Sequence, residues 1–185
     1  MKLEKLEYGR AKLRPLEPED IDLLYEWENE MKIWAVSNTL VPFSRYILEQ
    51  YILNSQQDIY ESKQLRLIIE TKAGKAAGAV DLFDFDPFHQ RAGVGILIHN
   101  INEREKGLAS DALVLLCQYA DEVIGLHQLY ANISDDNLAS IRLFGKCGFE
   151  LAGRKKEWVK SGKVWKDELI FQKIFGGGSE DSLIF

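Results

Sequence analysis

The 185-residue sequence has few cysteines, few prolines and no long apolar run. Its two cysteines, Cys117 and Cys147, form neither a CxxC pair nor the spacing of a zinc site, so we expect no metal centre. No segment is apolar over a membrane-spanning length, and Met1–Leu13 lacks the apolar core of a signal peptide. We therefore expect no membrane partner and a cytoplasmic location.

Positive charge is also scarce, since 23 Lys and Arg residues stand against 29 Asp and Glu residues and leave a net charge of −6. Binding of DNA or RNA needs clustered basic side chains, so we expect no nucleic-acid partner. The acidity is compatible with a cationic substrate without indicating one. The sequence contains no GK[ST] phosphate loop and no triple-glycine dinucleotide motif, which argues against both of those nucleotide sites.

Composition and periodicity together predict a single α/β domain of the α+β type. Hydrophobic residues make up 46% of the chain and charged residues 28%, the balance of a globular protein. Residues 1–175 are predicted to form one domain, and residues 176–185, which open on three glycines, a flexible tail. The predicted sheet is mixed and largely antiparallel, with about seven strands flanked by about four helices.

The predicted elements follow from hydrophobic spacing and turn residues. In the second predicted helix, Ser44–Asn54, we expect four residues to pack inward, namely Tyr46, Ile47, Tyr51 and Ile52. The elements in chain order are a strand Ala11–Leu16, a helix from Pro18 to about Met31, a loop Ala35–Phe43, a helix Ser44–Asn54, strands Gln64–Glu70, Ala77–Phe85 and Arg91–His99, a helix Gly107–Ile124, a strand Gln128–Ser134, a helix Asn137–Lys146, and strands Leu151–Val159 and Val164–Ile174.

Residues 104–110 have the features of a phosphate-binding turn. A strand and a short loop lead to an amphipathic helix, whose unpaired N–H groups and positive dipole end favour phosphate oxygens. Gly107 lets a ligand approach the backbone, Ala109 keeps the surface low, and Arg104 and Lys106 add positive charge. The alternative is an ordinary surface loop with a solvated Arg104, because short motifs match by chance.

Two motifs in this sequence resemble those of the GNAT acetyltransferase superfamily. Arg104-x-x-Gly107-x-Ala109 matches the (R/Q)xxGx(G/A) signature of that family, and the segment from Asn137 to Gly148-Phe149 resembles its second signature. The chain is most similar to spermidine/diamine N-acetyltransferases and to ribosomal-protein N-terminal acetyltransferases. The resemblance covers roughly residues 11–174 and implies a GNAT fold.

The resemblance also implies acetyl-CoA as cosubstrate. In such enzymes the pantetheine arm pairs with a strand edge, here Ile96, Leu97 and Ile98. Asn137, Ser140 and Phe144 share one helical face and are expected to contact the coenzyme, although Asn137 also suits a helix cap. Backbone N–H groups would grip the pyrophosphate along Arg104, Glu105, Lys106, Gly107, Leu108, Ala109 and Ser110.

The sequence departs from the family at the usual proton donor, a tyrosine whose position is occupied here by Phe144. Phenylalanine has no proton to give to the leaving thiolate. A thiol pKa of about 8.5 makes a dedicated acid helpful but not obligatory, so water or another group would serve. If this substitution limits the rate, Phe144→Tyr raises turnover.

Acidic residues near the end of the strand Ala77–Phe85 suggest the acceptor site. Asp81 and Asp84 align with glutamates that bind cationic amines in spermidine enzymes, and His89 follows closely. We predict Asp84 as the catalytic residue and Asp81, Asp84 and His89 as amine-binding residues. A polar strand exit facing solvent is the alternative, and Gly93 stands where those enzymes have another glutamate.

The leading hypothesis is therefore an N-acetyltransferase that acts on a primary amine, with a polyamine such as spermidine as substrate. A protein N-terminus or an antibiotic amine would fit the same chemistry. Because of Phe144, a non-catalytic acyl-CoA-binding relative stays open, as does a chain that binds no CoA. Homo-oligomerisation is expected because the resembled enzymes often associate.

Overall fold

In the computed structural model, which describes residues 5–37, 39–55 and 57–176, the chain forms one eight-stranded sheet. The sheet order is β1-β2-β3-β4-β5-β6-β8-β7. The strands are β1 (Glu7–Tyr8), β2 (Ala11–Pro15), β3 (Leu65–Thr71), β4 (Ala76–Asp86), β5 (Arg91–Ile98), β6 (Gln128–Ser134), β7 (Glu150–Ser161) and β8 (Val164–Ile174). The predicted tail lies, apart from Gly176, outside the described residues.

Helices cover both faces of the sheet. They are α1 (Ile21–Glu28), α2 (Met31–Ser37), α3 (Arg45–Asn54), α4 (Ile59–Ser62), α5 (Leu108–Tyr119) and α6 (Leu138–Lys146), with 3-10 turns at Pro18–Asp20 and Ile101–Glu103. A π turn, Ala120–Ile124, prolongs α5 to Gly125, whose φ of +76° ends it. Within the described part of the chain, no helix combines the length and apolarity needed to cross a bilayer.

The period-two alternation of the strands divides the core into two clusters. On one face, Val80 and Leu82 of β4 and Leu129 of β6 pack beneath α5 and α6. On the other face, Ile68 of β3 and Ala79 of β4 pack beneath α1 and α3 through a second cluster that contains Leu24, Leu48 and Ile52. Side chains of β4 that face α1 and α3 are therefore those of Ala79, Asp81 and Phe83.

The predicted antiparallel meander of β3, β4 and β5 is confirmed. β5 and β6 are parallel but pair over only three residues, from Arg91 with Gln128 to Gly93 with Tyr130. Beyond that point, β6 pairs with β8 while β5 keeps only β4 as partner. The sheet thus opens into a split between β5 and β6, which faces the start of α5.

Three predictions about the first hundred residues were wrong. The first helix ends at Glu28, since the Asn29 side chain bonds to Tyr25 and Phe43 and closes the turn there. A new helix then runs through residues 31–37, in part of the segment predicted as a loop. The third prediction was wrong only in part: in α3 Ile52 is buried and Tyr51 packs against the core as expected, but Leu48 is the other buried residue, while Tyr46 and Ile47 are 66% and 52% exposed.

Candidate active site

The turn between β5 and α5 is shaped as a concave stretch of backbone. Glu105 and Gly107 both adopt positive φ values, +60° and +89°. A Cβ atom added at Gly107 would have no other atom within 4 Å. Gly107 is the N-cap of α5 and has no side chain with which to cap it. The first N–H groups of α5, at Leu108, Ala109 and Ser110, therefore keep no side-chain cap and can bind an anion.

Two cationic side chains, those of Arg104 and Lys106, lie at this turn. Arg104 donates through Nε to the Ile98 carbonyl at 2.8 Å, which holds the guanidinium against the end of β5. Lys106 lies 3.9 Å from Glu103. Asp111 is the acidic residue in the first turn of α5. Its carboxylate accepts the Arg10 backbone N–H at 2.8 Å and is thereby engaged within the protein.

Residues Ile96, Leu97 and Ile98 form the β5 side of the split. They pair with Val80, Ala79 and Gly78 of β4, and their other edge has no strand partner among the residues that the structure describes. Main-chain groups on such an edge bind an extended ligand as an added strand. The coenzyme arm that the sequence led us to expect is of that kind.

The second motif lies across the split on α6. Asn137 caps this helix, since its side chain accepts the Ser140 N–H at 3.1 Å. Ser140 is partly buried. Phe144 is 3% exposed and packs edge-on against Phe149 at 4.9 Å between ring centroids, so it belongs to the core beneath β6.

Asp81 is engaged in an ion pair that the sequence did not reveal. Arg66 of β3 donates to both of its carboxylate oxygens, at 2.6 and 3.1 Å, and also bonds to Glu28 of α1. The guanidinium carbon lies 5.3 Å from the Tyr51 ring centre. Burial is the largest single influence and lowers the pKa of Arg66, but the charge and hydrogen bond of Asp81, with the charges of Tyr51 and Glu28, together outweigh it and leave that pKa raised. Asp81 therefore shares the single positive charge of Arg66 with Glu28.

Asp86, at the end of β4, is also ion-paired. Its carboxylate accepts the His89 backbone N–H at 3.0 Å and contacts His89 Nδ1 at 2.8 Å and Arg91 at 3.2 Å. The His89 backbone bond is the largest influence that lowers the pKa of Asp86 to about 2. His89 is therefore bound to Asp86.

Asp84 differs from both neighbours. It sits in a bulge of β4 between Phe83 and Asp86 with a φ of +49°, which turns an exposed side chain out of the regular strand. Left-handed backbone at a residue other than glycine is uncommon and concentrates at functional sites. In the described part of the structure, Asp84 makes no ion pair, and its one side-chain hydrogen bond comes from the Tyr130 hydroxyl at 3.3 Å.

Asp84, Asp86 and Tyr130 line one open cavity of about 510 Å³ at the start of the β5–β6 split. Phe83 forms a neighbouring wall, with its ring edge-on to Tyr130 at 6.0 Å. A Cβ on Gly93 would lie 2.2 Å from the Phe83 ring, so that ring leaves no room for a side chain at position 93. Arg91 also lines the cavity and pairs with Asp86, so Asp84 is the one lining carboxylate without an ion pair among the described residues.

Sequence reasoning gave no role to Arg66 or to Tyr130. Arg66 lies in an apolar strand, and its pairing with Asp81 depends on the β3–β4 register. In β6, Leu129, Ala131 and Ile133 are buried, which places Tyr130 on the cavity face. That alternation was visible in the sequence and is the signal that could have identified Tyr130.

These features define an acyl-CoA-dependent transferase fold. The family model of the acetyltransferase (GNAT) domain matches residues 10–150, and the chain belongs to this family. It is an N-acetyltransferase that takes its acetyl group from acetyl-CoA and transfers it to an amine. The predicted fold class and cosubstrate are thereby confirmed.

Among curated relatives, the chain is similar to spermidine N(1)-acetyltransferase of Escherichia coli, with 29% identity over 77% of this chain and 74% of that protein. It is also similar to a methionine sulfoximine/methionine sulfone acetyltransferase of Pseudomonas aeruginosa, with 30% identity over 57% of this chain and 62% of that protein.

Two solved structures share the fold. Spermidine N-acetyltransferase from Vibrio cholerae, in complex with CoA and spermine, gives a TM-score of 0.81 at 21% identity and covers 89% of this chain and 95% of that one. The microcin C7 self-immunity acetyltransferase, in complex with acetyl-CoA and AMP, gives 0.74 at 25% identity and covers 90% and 93%.

Proposed function

We propose that this chain acetylates a primary amine of a small cationic molecule, with a polyamine such as spermidine as the first candidate. The observation that carries the proposal is Asp84, an exposed carboxylate without an ion-pair partner among the described residues, in a cavity at the start of the β5–β6 split. An ammonium group binds such a carboxylate, and the thioester would meet it from the split. The relative from Escherichia coli, a spermidine acetyltransferase, supports this choice.

The coenzyme is proposed to lie along the split within a single domain, residues 1–175. Its pyrophosphate would accept hydrogen bonds from the backbone of Arg104, Glu105, Lys106, Gly107, Leu108, Ala109 and Ser110. Its pantetheine arm would pair with Ile96, Leu97 and Ile98, while Asn137, Ser140 and Phe144 would flank it from α6. The uncapped start of α5 is the feature of the structure that supports this arrangement.

The reaction is direct aminolysis of the thioester. The bound ammonium first loses one proton to water, because only the neutral amine has a lone pair. Asp84 takes a second proton from that nitrogen as it attacks the acetyl carbonyl, the C–S bond breaks, and the leaving CoA thiolate is protonated. Asp81 and His89 would affect the amine only indirectly, because Asp81 is bound by Arg66 and His89 is bound to Asp86. The local field is therefore set mainly by Asp84.

A second candidate is an acceptor with one ammonium group, such as a peptide N-terminus or an antibiotic amine. The pairing of Asp81 with Arg66 and of Asp86 with Arg91 favours it, since it leaves a single unpaired carboxylate in the cavity. A long polyamine would have more positive charges than this cavity has free negative ones.

A panel assay separates the two candidates. Purified protein is incubated with acetyl-CoA and with spermidine, spermine, a short peptide with a free N-terminus or an aminoglycoside, and thiol release and the acetylated product are measured. We expect kcat/KM to be highest for the polyamines. Turnover of the peptide or aminoglycoside alone would move the assignment to the second candidate. Homo-oligomerisation, a cytoplasmic location and the lack of nucleic-acid and membrane partners stay predictions.

A further inference from the structure

Transfer of the acetyl group leaves a thiolate that needs a proton, and position 144 supplies none. Phe144 is buried against Phe149 and has no exchangeable hydrogen. A protein group that gives this proton is therefore a group other than residue 144, and it must reach the place where the sulfur lies.

The geometry of the split locates the sulfur. If phosphates bind at the start of α5 and the arm pairs with β5, the arm runs from Ile98 back toward Gly93. Five residues of extended strand span about 17 Å at about 3.3 Å per residue, which is the order of an extended pantetheine arm. The thioester then lies level with Gly93, where β6 rejoins β5 through the pair Gly93–Tyr130.

Tyr130 is held at this point by two neighbours. Its ring meets Phe83 edge-on at 6.0 Å, with an interplanar angle of 84°. Its hydroxyl donates to Asp84 Oδ2 at 3.3 Å. Partial burial, together with the charge and hydrogen bond of Asp84, raises the pKa of Tyr130, so the phenol keeps its proton at neutral pH.

We propose that Tyr130 is the proton donor to the CoA thiolate, in the place of the tyrosine that α6 lacks. This inference rests on the proposed function of Asp84. The bound ammonium first releases one proton to water. As the resulting neutral amine nitrogen bonds to the acetyl carbon, Asp84 accepts a second proton from it; as the C–S bond breaks, the Tyr130 hydroxyl gives its proton to sulfur. Asp84 then returns a proton to the Tyr130 oxygen along their hydrogen bond. One proton has moved from nitrogen to sulfur, and both side chains regain their starting states.

The test is steady-state kinetics of Tyr130→Phe with acetyl-CoA and the best amine of the panel. We expect kcat to fall about 100-fold, the lower range for loss of a general acid, with the amine KM within about twofold of wild type. The alkaline decline of kcat, caused by ionisation of the phenol, is expected to disappear. A residue that merely packs would lower kcat equally at every pH and keep that decline.

Tyr119→Phe is the matched control, because Tyr119 is also a partly buried tyrosine but lies at the far end of α5. It is expected to keep the kcat and pH profile of wild type. If the wild-type protein is active and Tyr130→Phe keeps its kcat or its alkaline decline, the role of Tyr130 is overturned while the proposed function stands. A wild-type protein that consumes no acetyl-CoA with any amine would overturn the proposed function as well.

Discussion

Arg66 and Asp81 form a two-point ion pair across β3 and β4, in which Nε donates to Oδ1 at 2.6 Å and Nη2 donates to Oδ2 at 3.1 Å. The two side chains are only 20% and 27% exposed. The Asp81 carboxylate is therefore engaged by the protein itself.

Asp81→Asn is therefore expected to act mainly on stability. Removing one partner leaves Arg66 partly buried with only Glu28, at a cost of about 1–3 kcal/mol, less than for a fully buried pair because both groups keep some solvent. Urea unfolding measures this. Asp84→Asn, at a site without an ion pair in the described structure, should cost less than about 0.5 kcal/mol. Equal losses in both variants would contradict the distinction between the two aspartates.

The pH dependence of stability is expected to reflect His99. Its ring stacks on Trp27 at 4.3 Å, and burial, followed by the charges of Arg66 and Arg104, lowers its pKa from 6.5 to about 4. Below pH 6.5 the unfolded chain therefore binds a proton at His99 that the folded chain does not bind. Stability should be independent of this group above pH 6.5 and should fall as the pH drops toward 4.

His99→Phe keeps a ring against Trp27 and removes the titration. The difference in unfolding free energy between this variant and wild type, measured from pH 4 to pH 8, should change only below about pH 6.5. A difference that is constant over the whole range would show that His99 does not titrate with folding.

Much of the fold followed from periodicity, because strands and helices that bury one face carry the pattern in their residues. β6 and β8 were predicted with both ends correct. The errors in α3 arose because aromatic and aliphatic residues occupy two sides of that helix, and only packing selects Leu48 and Ile52.

The candidate site was harder to predict, since its geometry depends on strand register. Asp84 was proposed from the sequence, but its bulge and its bond to Tyr130 arise from tertiary pairing. Arg66 and Asp81 are 15 residues apart in the sequence, and they form an ion pair because they lie opposite each other on β3 and β4.

Gly107→Ala tests the phosphate turn. A φ of +89° is unfavourable for alanine, so stability should fall by about 1–2 kcal/mol, and the altered backbone should weaken CoA binding about 10-fold. Gly125→Ala is the matched control, because Gly125 has a φ of +76° and equal open space at the other end of the same helical segment. Calorimetry should show weaker CoA binding only for Gly107→Ala. Equal CoA affinity in the two variants would argue against the turn.

Phe144→Tyr tests the division of labour between α6 and β6. If Tyr130 supplies the proton, this substitution should change wild-type kcat by less than about threefold, yet raise the kcat of Tyr130→Phe about 10-fold or more. Measured kcat values for the four variants of this cycle give the coupling. A large gain in the wild-type background would show instead that the missing tyrosine limits the rate.

The central claim is that Asp84 receives the amine, and kcat/KM of Asp84→Asn for the best amine tests it most directly. Asparagine keeps the shape and loses the charge and the basic oxygen, so we expect kcat/KM to fall about 100-fold or more with CoA affinity unchanged. Asp121→Asn, at an exposed aspartate on the π turn after α5, is the control and should match wild type. An Asp84→Asn protein with the kcat/KM of wild type would contradict the account.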